Sequence, residues 1–148
     1  MLIDTLKQLF RRDLNKLKLE IESYKNEEII WAVDKNIANS SGNLCLHLVG
    51  NLNTYIGSVI GKTDYQRDRD AEFALKNVSR AELIKQIEDT IFMIDDSLSK
   101  LNKADLDEEY SILVFKEKTT TEHFLIHLAT HLGYHLGQVN YHRRLLDY

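Results

Sequence analysis

The residues with the clearest chemical potential are a run of histidines near the C-terminus. His123, His127, His131 and His135 follow one another at intervals of four in TTTEHFLIHLATHLGYHLGQVNYHRR. Residues four apart lie one turn above another on nearly the same face of a helix. Two neighbouring imidazoles placed in this way can bind one divalent ion, and a histidine from another helix can complete a triad. The spacing therefore predicts a metal site.

Helical geometry limits how many of these histidines can bind one ion. Each step of four residues shifts the side chain by about 40° around the helix axis. The side chains of His123 and His135 therefore point in directions about 120° apart. One adjacent pair is expected to chelate, and the spacing leaves three pairs open: His123/His127, His127/His131 and His131/His135. We favour His131 with His135, and His127 is the nearest alternative. Gly133 and Gly137 permit close approach of another helix or a substrate, and Gln138 lies on the same side.

The sixth histidine, His47, lies far upstream in the apolar stretch LCLHLVGN. A single histidine in such a stretch is ordinarily a buried residue whose hydrogen bonds are satisfied. Because a histidine run exists elsewhere in the chain, we interpret His47 as a candidate third ligand. Cys45, the only cysteine, lies two residues away and is expected to be buried on another side of the helix. His142, followed by two arginines, is predicted to form a polar helix end without a chemical role.

Composition excludes several classes of protein. A chain of 148 residues fits a single domain, residues 1–148, that can bury a core. The net charge of -4 argues against nucleic-acid binding, which normally requires a basic patch. No apolar run is long enough to span a membrane, and the N-terminal segment is unlike a secretory signal. With one cysteine and no disulfide framework, the expected location is the cytoplasm.

The elements that must position the histidines are predicted to be four long helices. The chain has no proline, and apolar residues recur at three-four spacing in residues 2–24. Further helices are predicted over residues 44–61, from Ser79 to about Leu101, and from a capping box of Thr119 and Glu122 nearly to Tyr148. Residues 62–77 are polar and aperiodic, and residues 110–115 have some strand character. The fold class is therefore all-α, a four-helix bundle with a long crossover between helices two and three.

Motifs distributed along nearly the whole chain resemble the DinB-like superfamily, which includes bacillithiol transferase-like enzymes. THLGYHLGQ resembles its metal motif, and LCLHLVGNLNTYIG resembles its second-helix segment with a single histidine. TDYQRDRDAEF and QVNYHRR resemble one uncharacterised bacterial branch. The resemblance implies that His47, His131 and His135 are the metal ligands and that the protein is a homodimer. Thr130 stands where many relatives have asparagine, so the groups around the ligands are expected to differ.

The resemblance also implies a function. Some relatives are thiol-dependent transferases, and many have no assigned activity. The expected reaction is transfer of a small-molecule thiol to an electrophile at a divalent ion, zinc or nickel, held by three histidines. A hydrolase would need a carboxylate base beside the metal, and neither histidine-bearing segment has one nearby. The alternative is a noncatalytic helical-bundle protein that binds metal or dimerises. The catalytic residues and those that bind the thiol stay unassigned.

Further polar residues surround these motifs. Asn43 and Asn51 lie four residues on either side of His47, so all three share one helical face. Both asparagines are candidates for hydrogen bonds to substrate or to the metal ligands. The alternatives are that Asn43 caps the helix and that Asn51 is a buried amide with satisfied hydrogen bonds. Arg67 and Arg69 in YQRDRD could bind a carboxylate of an anionic thiol, although alternating charges are also typical of ion pairs in a solvated loop.

Overall fold

Helices joined by irregular segments make up the chain. The structure is a computed structural model that describes residues 1–148. The α-helices are α1 Leu2–Ser23, α2 Ser41–Leu52, α3 Arg69–Ala74, α4 Arg80–Ser99, α5 Lys103–Asp107 and α6 Thr121–Leu146. A 3-10 turn covers Glu27–Trp31, and a π-helical segment, Asn53–Ser58, continues α2. The predicted all-α class is confirmed, and none of the helices has both the length and the apolar character that crossing a bilayer requires.

Helix α1 packs along α4 and α6 through one apolar stripe. The stripe follows the three-four spacing of the sequence and is almost completely shielded from solvent; it consists of Leu6, Phe10, Leu14, Leu17 and Ile21. Such a stripe covers the part of a helix surface that a neighbouring helix can bury. The hydrophobic pattern therefore orients α1 with most of its charged residues toward solvent, although Asp13 is buried.

Helix α2 is the central element, because every residue from Ser41 to Leu52 is buried. It packs against α3, α4 and α6. The helix begins at Ser40, whose Oγ accepts a hydrogen bond from the backbone N–H of Asn43 at 3.1 Å. Polar residues on this helix are therefore enclosed by protein and must find partners inside it.

Several local predictions were wrong in detail. The last long helix is capped by Thr120 and not by Thr119, since the Thr120 hydroxyl accepts from the backbone N–H of His123. The segment with strand character forms no strand, and only an isolated antiparallel bridge joins Glu109 to Thr120. The crossover is also not a plain loop, because it contains the short helix α3, which Asp68 caps.

His142 is predicted to form a polar helix end, and the structure places its side chain in the interior, 4% exposed. Its Nε2 lies 2.8 Å from the carbonyl oxygen of Ala32, which can only accept, so Nε2 carries the proton. Nδ1 then accepts from the hydroxyl of Tyr24 at 2.7 Å, and Ser41 donates to that tyrosine oxygen at 2.7 Å. This network fastens the end of α6 to the end of α1 and the start of α2.

Candidate metal centre

Helices α2 and α6 bring three histidines together. His47 comes from buried α2, and His131 and His135 come from successive turns of α6. The Nε2 atom of His131 lies 3.3 Å from Nε2 of His47 and 3.1 Å from Nε2 of His135. One ligand atom from each of the three lies within 4.8 Å of the others, so the group could hold a metal ion.

The spacing of these nitrogens fits a single ion. Histidine nitrogens bind zinc at about 2.0–2.1 Å, so two of them in a tetrahedral site lie about 3.3–3.4 Å apart. The two observed Nε2 distances, 3.1 and 3.3 Å, are close to that separation. The chelating nitrogens are therefore already placed near the positions that one ion requires.

Hydrogen bonds to Nδ1 of His47 and of His135 leave the Nε2 lone pairs of these two rings directed toward the centre. Nδ1 of His47 lies 3.1 Å from a carboxylate oxygen of Glu72, and Nδ1 of His135 lies 2.6 Å from Oε1 of Gln138. Because those oxygens accept, each Nδ1 carries the ring proton in the neutral imidazole and each Nε2 presents a lone pair. Nδ1 of His131 is buried without a partner. Binding of an ion by its Nε2 would require that Nδ1 to carry the proton.

Burial favours the uncharged form of His47 and His131, which is the form that binds a metal. Burial, together with the neighbouring His135 and His47, lowers the pKa of His131 to about 4. Burial also lowers the pKa of His47, although the hydrogen bond to Glu72 acts in the opposite direction. Neither ring must therefore lose a proton at neutral pH before it can bind an ion.

The carboxylate behind His47 comes from α3, within the segment that was predicted to be an aperiodic crossover. Glu72 is 5% exposed and forms a two-point ion pair with Arg67, at 2.9 Å from Nε and 3.0 Å from Nη2. Gly50 makes room for it, because a Cβ at that position would overlap the Glu72 carboxylate. The alternation of charges in YQRDRDAEF concealed this role, and the glycine one turn from His47 was the available signal.

Glu72 changes the expectation that no carboxylate lies near the histidines. This carboxylate comes from α3, which carries none of the three histidines. It contacts Nδ1 of His47, on the opposite side of the ring from Nε2. Both of its oxygens are engaged by His47 and Arg67. Glu72 therefore orients a ligand and is not placed to act as a base at the centre.

The other histidines of the run lie outside the group. The ring of His127 stacks beside His131 with 6.2 Å between centroids and meets Phe115 edge-on at 4.7 Å. His123 is exposed at the start of α6. The structure thus brings together the pair His131 and His135 with His47, while metal binding by them stays a prediction.

Asn43 and Cys45 both have structural roles in α2. The Asn43 amide donates to the carbonyl oxygens of Glu72 and Leu75 at 2.9 and 2.8 Å, which ties the start of α2 to α3. Cys45 is fully buried, and burial raises the pKa of its thiol to about 12. The protein therefore supplies no reactive thiolate of its own at neutral pH.

Comparison with known proteins gives a family without an assigned activity. The sequence matches the family described as "Protein of unknown function (DUF1572)" over residues 2–147. No curated protein sequence matches the chain significantly.

Proposed function

Because this chain belongs to the DUF1572 family, whose description assigns no activity, we propose its function from the site: a metal-dependent enzyme that transfers a small-molecule thiol to an electrophile. The metal would be zinc or nickel, and His47, His131 and His135 would hold it. The resemblance of the THLGYHLGQ and LCLHLVGN motifs to the DinB-like superfamily supports this proposal.

The observation that carries the proposal is a set of three imidazole nitrogens that lie within 4.8 Å of one another, with the Nδ1 atoms of His47 and His135 hydrogen-bonded on the opposite side of their rings. Three protein ligands are typical of catalytic sites, whereas structural zinc sites normally have four. Neutral ligands also leave the full charge of a divalent ion in place. Such an ion lowers the pKa of a coordinated thiol and makes it a nucleophile near neutral pH.

The protein residues around the three histidines orient the imidazole rings, and none of them supplies the reacting thiol. Glu72 fixes the ring of His47, and Gln138 fixes the ring of His135. Phe73 packs beside His47 with 5.1 Å between ring centroids, and Tyr134 meets His135 edge-on at 5.3 Å. The thiol must come from a small molecule, because the only cysteine is buried and protonated.

The proposal is tested in two steps with purified protein. The first measures metal content after reconstitution with zinc or nickel, for the wild type and for His131→Ala. We expect about one ion per chain in the wild type and a loss of binding in the variant, since two ligands chelate less tightly than three. His123→Ala is the matched control, because this exposed histidine belongs to the same helix but not to the cluster.

The second step follows consumption of small thiols with a panel of electrophiles. Turnover that requires the metal and is lost in His131→Ala supports the transferase. If no ion binds after reconstitution, the metalloenzyme proposal is wrong. An ion that binds without any thiol consumption would leave the noncatalytic metal-binding protein as the correct reading. Metal loss in His127→Ala but not in His135→Ala would show that the chelating pair was misassigned.

A further inference from the structure

Two histidines of the run on α6 take no part in the three-histidine centre. His123 lies in the first turn of the helix and is exposed, and His127 lies one turn further on and is half-buried. The ring of His127 makes no hydrogen bond within the protein, and its nitrogens are not shielded from solvent. Both rings therefore have nitrogen lone pairs that the fold does not use.

His127 lies between His123 and the centre. Its ring is beside that of His131, with 6.2 Å between centroids and 29° between the ring planes. The rings within the centre are 4.5–5.3 Å apart, so a small rotation of the His127 side chain would let it share an ion with His131. Phe115 meets the ring of His127 edge-on at 4.7 Å, but it is 38% exposed and belongs to a segment without regular structure. This neighbour leaves room for the rotation.

Each neighbouring pair on α6 has the spacing of a chelating pair. Residues four apart lie about 5–6 Å from each other at Cβ. The shift of about 40° per step prevents all four rings from binding one ion, but it does not prevent any adjacent pair from doing so. Successive pairs overlap, because each shares one ring with the next. Glu122 also places a carboxylate in the first turn, where it offsets the positive end of the helix dipole and favours a cation.

We propose that His123 and His127 form an uptake path, in which they capture a divalent ion from solvent and pass it along α6 to the three-histidine centre. The proposal rests on the metal centre of the proposed function, but it does not depend on thiol transfer. His123 and His127 would bind the ion first. The bond to His123 would then break as a bond to His131 forms. Finally, the bond to His127 would break as His47 and His135 complete the site.

The exchange conserves charge and keeps the ion bound to protein throughout. At pH 7.5 a histidine with an ordinary pKa of about 6.5 is neutral, so each step replaces one neutral ligand by another, and water fills the remaining positions. Zinc suits such an exchange, because its d electrons impose no preferred geometry. The path would explain why four histidines follow one another on a helix that contributes only two to the centre.

The rate of metal uptake tests the path, with Co²⁺ as the probe because tetrahedral coordination gives this ion visible absorption. Stopped-flow mixing with metal-free protein gives the association rate constant, excess chelator gives the dissociation rate constant, and equilibrium titration gives the affinity. His127→Ala should slow association by about five- to tenfold, because capture beside the centre makes the final step intramolecular. Dissociation should slow by the same factor and the affinity should be unchanged, since a residue on the path alone does not alter the end states.

Three further variants serve as controls. His123→Ala should slow association less than His127→Ala does, because His127 can still capture an ion by itself. Ile126→Ala shortens an exposed side chain on another side of the same turn and should keep the wild-type rates. His127→Leu fills the space of the imidazole without a nitrogen and should match His127→Ala. It is the deciding variant if the alanine lowers the helical content.

The two rate constants and the affinity separate the possible outcomes. A wild-type association rate in both His127 variants would overturn the uptake path and leave the metal centre standing. Lost affinity with an unchanged association rate would also overturn it, because His127 would then stabilise the bound ion. If the wild type binds no cobalt, the centre is wrong and the path falls with it. Equal slowing of association and dissociation would support the path even if the protein consumes no thiol.

Discussion

Replacement of Glu72 by glutamine tests how the site is built, because it removes one charge and keeps the volume. The carboxylate accepts from Nδ1 of His47 at 3.1 Å and from Arg67 at 2.9 and 3.0 Å. A glutamine cannot satisfy both neighbours. If its oxygen faces His47, its NH2 opposes the donors of Arg67. If its NH2 faces His47, Nδ1 must accept and the proton moves to Nε2, which then cannot bind a metal.

Either orientation should weaken metal binding without abolishing the fold. Loss of a group that orients a histidine ligand typically costs 10–100-fold in metal affinity, which is about 1.4–2.7 kcal/mol. The metal-free variant should also unfold more easily, since Arg67 is left without its ionic partner in a largely buried place. Metal affinity is measured by competition with a coloured chelator, and thermal unfolding of the metal-free protein checks the fold.

Glu117→Gln is the matched control, because Glu117 is exposed and its loss changes the net charge by the same amount. Its metal affinity should equal that of the wild type. A Glu72→Gln variant that binds zinc within about twofold of the wild type would refute the reasoning, since the predicted loss is at least about tenfold. The ring of His47 would then be held by packing and not by its carboxylate partner.

Further outcomes follow from individual residues. Gly50→Ala should weaken metal binding in the same competition assay, because its Cβ displaces Glu72, whereas Gly137→Ala, which meets no atom, should raise the free energy of unfolding by about 0.5–1 kcal/mol. Burial lowers the pKa of His142, so its contribution to stability is complete above its ordinary pKa of 6.5 and is lost as pH falls below that value. Denaturant unfolding of metal-free protein at pH 7.5 and 5.5 should therefore show a smaller loss in His142→Gln than in the wild type; an equal loss would contradict this. Cys45 should react with a thiol reagent only after unfolding, and rapid labelling of the native protein would show that its burial is incomplete.

The regular parts of the fold could be predicted because they depend on local repetition. Apolar residues at three-four spacing predicted α1, and Ser79 caps α4 at the position where the sequence predicted that helix to begin. The prediction of strand character at residues 110–115 was wrong, because a short apolar run forms a strand only where another strand can pair with it, and the structure has only an isolated bridge between Glu109 and Thr120. Four of these residues stay substantially exposed in the structure: Ile112, Leu113, Val114 and Phe115.

The sequence by itself determined the helical class, the histidine spacing on α6 and the limit of one chelating pair, because these follow from the period of a helix. Only the tertiary structure decided which pair meets His47, that Glu72 stands behind that ring and that Gly50 makes room for it. It also decided that His142 is buried and that the buried side-chain oxygen of Asn51 has no hydrogen-bond partner. These are contacts between residues far apart in the chain, and they depend on how helices pack against one another, which local periodicity does not encode.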